Sequence, residues 1–351
     1  MNFDLNEEQL AVQKMVRDFV ANEITPNAKE WDIKEEFPMD LWKKMGDLGI
    51  IGTSIPEEYE GSGMDFISHA IVAEELGYGC SSMRGTYSVN ISLVAKTILK
   101  WGTEEQIKKY VPRIATGEIF GCYGLTEPDS GSDAASMKST AEQDGDYYIL
   151  NGNKMWITHS DVSEVSLIFA KTDKDAGARG ITCFLVEKGT PGFTPQPIHE
   201  KIGLKAQNTG EINMDNVRVH KDTILGPVGR GFAVAMSALD NARFTVAAGC
   251  VGTAQAALEI EMGRLLVYRA GFLKNKDVRN TRETCMAKYF CGEMVNRVTY
   301  DMMQVLGGYS FSGEYPLERM YRDSRINTLY EGTSQIQQLI IGNAELEMPA
   351  F

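Results

Sequence analysis

No apolar run in the 351-residue sequence is long enough to span a bilayer. Positive charge is scarce. The 35 Lys and Arg stand against 48 Asp and Glu, a net charge of -13. That balance argues against a nucleic-acid or anionic-membrane surface, although a local basic pocket stays open. Histidine is rarer still: His69, His159, His199 and His220 lie far apart and give no metal-ligand spacing. The cysteines (Cys80, Cys122, Cys183, Cys250, Cys285, Cys291) contain no C-x-x-C pair. They read as buried thiols rather than a disulfide frame or a zinc site. There is no internal repeat and no low-complexity segment. The first residues, Met1 to Glu8, are acidic and polar, unlike a signal or transit peptide, and point to a cytoplasmic protein of bacterial type.

What is present suggests two or three packed units, since one core rarely grows this large. The first third is helical. Asn6 and Gln9 fit a capping box, and Val12, Val16, Phe19 and Val20 then share a helical face. Leu41 to Leu48 and Ile67 to Leu76 are further helices, and Thr103 with Gln106 is a second capping box. From Gly121 the pattern changes. Asp144-Gly145 and Asn151-Gly152 are hairpin signals around Tyr147 to Leu150. Residues 165–170, 181–186 and 217–219 read as strands of an antiparallel domain. Helical patterning returns at Gly231, rich in Ala, Met and Leu, as in a buried bundle. The expected fold class is therefore α+β and multidomain. A helical domain spans 1–120, a β domain 121–226 and a helical bundle 227–351.

Four segments carry possible chemistry. Tyr123-Gly124-Leu125-Thr126-Glu127-Pro128-Asp129-Ser130-Gly131-Ser132-Asp133 offers backbone N–H groups and hydroxyls for a phosphate or a ring edge, though a plain turn has the same composition. Asn151 to Ser160 offers Trp156 as an aromatic wall and Thr158 as a donor, or simply a strand with a core tryptophan. Gln304-Val305-Leu306-Gly307-Gly308 ends a helix or admits a ligand close to the backbone. Arg325 to Gln337 holds Glu331 just before a helix that Ser334 and Gln337 would open as a capping box. Taken alone, Glu331 is a helix-start carboxylate.

In this order the four segments resemble the acyl-CoA dehydrogenase family. Leu125-Thr126-Glu127-Pro128 with Gly131-Ser132-Asp133, Trp156-Ile157-Thr158, Gln304 to Gly308 and Tyr330-Glu331-Gly332-Thr333-Ser334-Gln335 match that family's signatures along almost the whole chain. The resemblance implies a helical domain, a β-barrel-like middle domain and a C-terminal helical bundle, assembled as a homotetramer with FAD. It implies that Glu331 removes the α-proton of an acyl-CoA thioester while a β-hydride passes to the flavin, and that an electron-transfer flavoprotein takes the electrons. Tyr123, Leu125, Thr126, Ser132, Trp156, Ile157 and Thr158 match positions around the FAD. Thr333 and Gln335 match FAD contacts beside the base, and Gln304, Gly307 and Gly308 match contacts to a neighbouring subunit's FAD. Ser132, Asp240 and Arg243 match positions that hold CoA, with Tyr330 and Gly332 beside the thioester. No metal is implied.

Met83-Arg84-Gly85-Thr86-Tyr87-Ser88-Val89-Asn90 is similar to the glutaryl-CoA dehydrogenase branch. There an arginine at the position of Arg84 binds the distal carboxylate of a dicarboxylyl-CoA. A guanidinium closing an apolar pocket is costly unless a carboxylate pairs with it. Glutaryl-CoA and a substituted succinyl-CoA, such as benzylsuccinyl-CoA, both meet that need. A short-chain monoacyl-CoA dehydrogenase with a structural Arg84, and a non-catalytic flavoprotein-like or CoA-binding scaffold, are the alternatives. Gly77 stands where the glutaryl branch has a glutamate. A second departure follows Gly252 to Glu259. Glu259 runs directly into Ile260, where the family carries a long further segment with contacts to the neighbouring FAD. The chain is either shortened there or joined across an absent piece, and a true deletion is expected to weaken FAD binding and assembly.

Overall fold

A computed structural model describes residues 4–254 and 260–346. The chain runs helical, then sheet, then helical. The first helix, Glu7–Phe19, opens on the expected capping box of Asn6 and Gln9, and Glu104–Ala115 opens on that of Thr103 and Gln106. Helix Phe66–Gly79 is buried on nearly every side, as is the second half of Gly231–Ala254. Neither is amphipathic, because neither has a solvent face to keep polar.

These two helices cross with backbone against backbone. A Cβ on Gly252 would lie 1.7 Å from the carbonyl oxygen of Glu74, and one on Gly77 would lie 2.4 Å from that of Gly249. Gly77 is thus a packing requirement here. A glutamate at this position would force the helices apart.

Seven strands form one sheet among the described residues: β1 (Gly121–Gly124), β2 (Thr140–Asp144), β3 (Tyr147–Thr158), β4 (Val165–Lys171), β5 (Ile181–Glu187), β6 (Phe193–Pro197) and β7 (Thr209–His220). Most pairs are antiparallel as expected, but β1 and the first residue of β2 pair parallel with β4 along its second edge, so the sheet is mixed. Alternate residues of β4 and β5 feed two cores. Val165, Leu167, Phe169, Cys183 and Leu185 face the helices, while Ile168, Ala170, Phe184 and Val186 face a core enclosed by the sheet. Burial on both faces explains why these strands read as continuous apolar runs.

One of the two hairpin signals is used differently. Asp144-Gly145 turns the chain, with Asp144 paired to Tyr147. Asn151-Gly152 does not turn. It is a bulge inside β3, with Gly152 at φ 137° closely packed on Ser139 and Asn151 Oδ1 accepting from the Asn216 N–H at 2.8 Å. All six cysteines are free and buried. Among the described residues no helix is long and apolar enough to cross a membrane. The expected junction after Ala254, at 255–259, lies outside the described residues.

Gly252→Ala should lower unfolding free energy by about 3 kcal/mol in denaturant titration. Gly342→Ala, in a helix where a Cβ meets nothing within 4 Å, should raise it by about 0.5–1 kcal/mol.

Candidate active site

The turn before the last helix, Ser334–Glu345, is built from its capping chemistry. Thr333 is the N-cap, its Oγ1 accepting from the Ile336 N–H at 3.3 Å. The cap is thus one residue before the expected Ser334. Ser334 instead donates to Glu293 Oε1 at 2.5 Å, and Gln337 folds back so that Nε2 donates to the carbonyls of Glu331 and Gly332, both at 3.0 Å. The turn places Glu331 at φ 55° and Gly332 at φ 87°. A left-handed non-glycine residue costs about 1–2 kcal/mol. Arg243 Nε also donates to the Glu331 carbonyl at 3.2 Å, and Lys288 Nζ to that of Gly332 at 2.7 Å. Hydrogen bonds from charged donors contribute about 1.5–3 kcal/mol each, so the grip outweighs the strain.

The carboxyl of Glu331 takes no part in capping. Its Oε2 is buried without a hydrogen-bond partner among the described residues. Burial pushes its pKa up to about 7, against the pull of Arg243, Lys288 and Arg84. Burial pushes Lys288 down to about 8, opposed by Cys250 and Glu331. Neighbouring cations thus limit the upward shift of a desolvated carboxyl.

Arg84 sits on the helix Ser81–Tyr87 and is 1% exposed. It has room because residue 249 has no Cβ: one there would lie 2.4 Å from Arg84 Cδ. Arg84 Nη2 donates to the Tyr330 hydroxyl and, at 3.4 Å, to Asn327 Oδ1. The Tyr330 hydroxyl in turn donates to Asn327 Oδ1 at 2.8 Å. Arg84 Nε and Nη1 have no partner among the described residues. A buried guanidinium with two unmet donors is the arrangement that a carboxylate completes.

The candidate cofactor residues of the sheet lie on β3, on β1 and in the loop after β1. A register shift between Lys154 and Ile157 turns Trp156 outward at φ 61°, 58% exposed. Ile157 is buried, whereas Thr158 is half-exposed. The loop after β1 is tied to this strand by the Met155 N–H donating to the Thr126 carbonyl at 2.9 Å. A second tie is a buried ion pair, Lys154 Nζ to Glu127 Oε1 at 2.7 Å. Glu127 also accepts from the N–H groups of Lys138 and Ser139. Leu125 is buried, Ser132 is exposed, and the Tyr123 hydroxyl donates to the Ala235 carbonyl at 3.1 Å. An outward indole braced on a strained bulge, beside a half-exposed hydroxyl, fits a flat aromatic cofactor such as FAD.

The remaining candidates divide. Asp240 Oδ2 pairs with Lys274 at 3.4 Å while Oδ1 is buried without a partner among the described residues. Arg243, 5% exposed, braces the Glu331 turn and is not on the surface. Gln335 is exposed. Gln304, Gly307 and Gly308 are exposed at the end of Thr281–Leu306, where Gly307 closes the helix at φ 56°. Asn327, Lys288 and Gln207 take no role in any motif read from the sequence, and Gln337 was expected there only as a capping partner. Lys288 left a trace in the sequence: it falls at helical spacing from Cys285 and Cys291, a cation on an apolar stripe.

Three family models match the chain in succession: the acyl-CoA dehydrogenase N-terminal domain over residues 6–118, the middle domain over 122–217 and the C-terminal domain over 256–346. Glutaryl-CoA dehydrogenase of Desulfococcus multivorans is 39% identical, with 99% of this chain and 98% of the relative covered. The short-chain-specific acyl-CoA dehydrogenase of Clostridium acetobutylicum is 37% identical over 97% of this chain and 98% of its own. The Desulfococcus alignment runs over 383 positions against 351 residues here, so that relative carries residues this chain skips. A solved glutaryl-coenzyme A dehydrogenase in complex with glutaryl-CoA superposes with TM-score 0.96 at 38% identity, covering 100% of this chain and 98% of that one. The Mycobacterium smegmatis glutaryl-CoA dehydrogenase in complex with FADH2 gives TM-score 0.92 at 32% identity, covering 99% and 96%. With matching models along most of its length and relatives this similar end to end, the chain belongs to the acyl-CoA dehydrogenase family.

Proposed function

We propose that the protein oxidises the Cα–Cβ bond of an acyl-CoA whose acyl chain ends in a carboxylate, such as a glutaryl- or substituted succinyl-CoA, to the 2-enoyl-CoA. The observation that carries this reading is two buried groups in one site with atoms left unpartnered among the described residues: the Glu331 carboxyl and the Arg84 guanidinium. FAD, when bound, supplies the hydride acceptor. An electron-transfer flavoprotein is the proposed final acceptor.

In this reading Glu331 removes the α-proton. An α-proton of a thioester is weakly acidic, so the base works best with a pKa raised toward that of the bound substrate. Desolvation supplies that shift. The carbonyl grip of Arg243, Gln337 and Lys288 fixes the Glu331 backbone, leaving its N–H available to the thioester oxygen as negative charge develops there. Arg84 reads the far carboxylate, and Tyr330 with Asn327 holds the guanidinium from the other side. Tyr123, Leu125, Thr126, Ser132, Trp156, Ile157, Thr158, Thr333 and Gln335 form the proposed FAD site. Ser132, Asp240 and Arg243 lie on the proposed CoA side, Arg243 acting through the Glu331 carbonyl. Gln304, Gly307 and Gly308, with Val305 (75% exposed) and Phe311 (84%) nearby, form a surface suited to a second copy in a tetramer. A monoacyl substrate is the second reading, supported by the bonds that Arg84 already makes to Tyr330 and Asn327.

Turnover of glutaryl-, benzylsuccinyl- and butyryl-CoA by FAD-loaded protein separates the two. Arg84→Gln should cost about 10²-fold in kcat/KM for the dicarboxylyl substrates and little for butyryl-CoA. An equal loss on all three removes the carboxylate-reading role. Product mass reports whether CO2 is also released.

Glu331→Gln should leave FAD binding intact and slow α-proton exchange about 10³-fold. Wild-type exchange should rise with pH through about 7, as Glu331 loses its proton. The stability effect has the opposite sign. The folded carboxyl holds its proton above its ordinary 4.5, so stability falls as pH rises from 4.5 to about 7. Glu331→Gln should therefore stabilise the fold by about 2 kcal/mol at pH 8 and by little at pH 4, read by denaturant titration at each pH.

A further inference from the structure

Gln207 lies just before β7 and is 4% exposed. Its backbone is fixed from both sides, its N–H donating to the Leu204 carbonyl at 3.1 Å and its carbonyl accepting from the Thr209 hydroxyl at 3.3 Å. Its side chain crosses to the helix that carries Arg84. A Cβ on Gly85 would stand 2.4 Å from Gln207 Oε1, 2.9 Å from Cδ and 3.1 Å from Nε2, so any larger residue at 85 would push this side chain aside. The amide then bridges toward β3, Nε2 donating to Thr158 Oγ1 at 3.1 Å. Oε1 has no partner among the described residues.

The direction of that hydrogen bond follows from what faces the other end of the amide. Turned to Gly85, the amide oxygen meets no donor among the described residues, and an under-satisfied oxygen is tolerated better than a stranded N–H donor. The amide therefore donates to Thr158. Having accepted there, the Thr158 hydroxyl makes no other hydrogen bond among the described residues, and its own proton is left to point to the half-exposed side of β3, where Trp156 stands.

We infer that Gln207 is a positioning residue that fixes Thr158 as a hydrogen-bond donor toward the flavin edge, and that Gly85 is the vacancy that lets it do so. The inference rests on the proposed FAD site. Hydrogen bonds to a flavin ring tune its electronics. A fixed donor favours the form richer in negative charge, so turning it away lowers the reduction potential. Gln207→Glu makes the sharpest test. A carboxylate accepts from Thr158 and so takes the proton away from the ring. Gln207→Met keeps the bulk, removes the bond and leaves Thr158 free to turn outward.

The measurement is the reduction potential of the FAD-loaded protein, with the rate of flavin reduction by substrate as a second readout. Gln207→Glu should lower the potential and slow reduction about tenfold, as the loss of one hydrogen bond predicts, and Gln207→Met should lie closer to wild type. Gln207→Glu and wild type with equal potentials, both FAD-loaded, would overturn this role alone. Wild-type protein that takes up no FAD would overturn the proposed function together with it. A third measurement needs no flavin. Gly85→Ala should destabilise the apoprotein with Gln207 in place and less in a Gln207→Ala background. Additive losses in that cycle would overturn the packing on which the role depends.

Discussion

The site depends on keeping one carboxyl out of water while its own backbone is held by cations. Glu331 gains its raised pKa from burial, yet Arg243 and Lys288, which brace the turn, each pull that pKa down. The arrangement resolves the conflict by spending the cations on carbonyls. Arg243 Nε and Lys288 Nζ donate to the Glu331 and Gly332 oxygens, leaving Oε2 without a partner among the described residues. Desolvation therefore outweighs attraction. Three long elements must converge for this: Gly231–Ala254 supplies Arg243, Thr281–Leu306 supplies Lys288 and Ser334–Glu345 supplies Gln337.

Convergence in turn demands close helix packing. Gly249 is the residue where the two demands meet. Its missing Cβ leaves space for the Arg84 side chain, and its backbone lies where a Cβ on Gly77 would stand. A larger residue there would not merely crowd the core. It would displace the guanidinium from Tyr330 and Asn327, and so disturb the loop that carries Glu331. Packing and chemistry thus share one position, and Gly77 follows from packing, where the sequence alone showed only a departure from the glutaryl branch.

Local signals were legible where they need only neighbours in the chain. Both N-terminal capping boxes, the Asp144-Gly145 turn and the strands of the middle domain follow from spacing and side-chain type. Asn151-Gly152 misled because the same freedom that makes a turn also makes a bulge, and only the contact with Ser139 decides between them. Ser334 misled by one residue because Thr333 competes for the cap and Glu293, 41 positions earlier in the chain, takes the serine hydroxyl. Glu331 itself was ambiguous in isolation, and only the order of four motifs singled it out as the expected base. Asn327 and Gln207 carried no such mark, and Gln337 was marked only as a capping partner. Their roles arise from side chains that reach across 3 to 243 positions of sequence, and a glutamine or asparagine is an ordinary residue until its partners are known.

The positions of Arg84 and Glu331 also bear on each other. Arg84 is the third of the cations that hold the Glu331 pKa down. On the proposed function, a substrate carboxylate pairing with Arg84 would neutralise part of that influence. The base would then strengthen when the correct acyl chain fills the pocket. A monoacyl chain of the same length would leave the guanidinium charge uncompensated beside the base, at the cost of burying it unpaired. Recognition of the tail and readiness of the base are therefore two consequences of a single buried charge. This gives a physical reason for an arginine at this depth, where a neutral residue of similar volume would pack at lower cost.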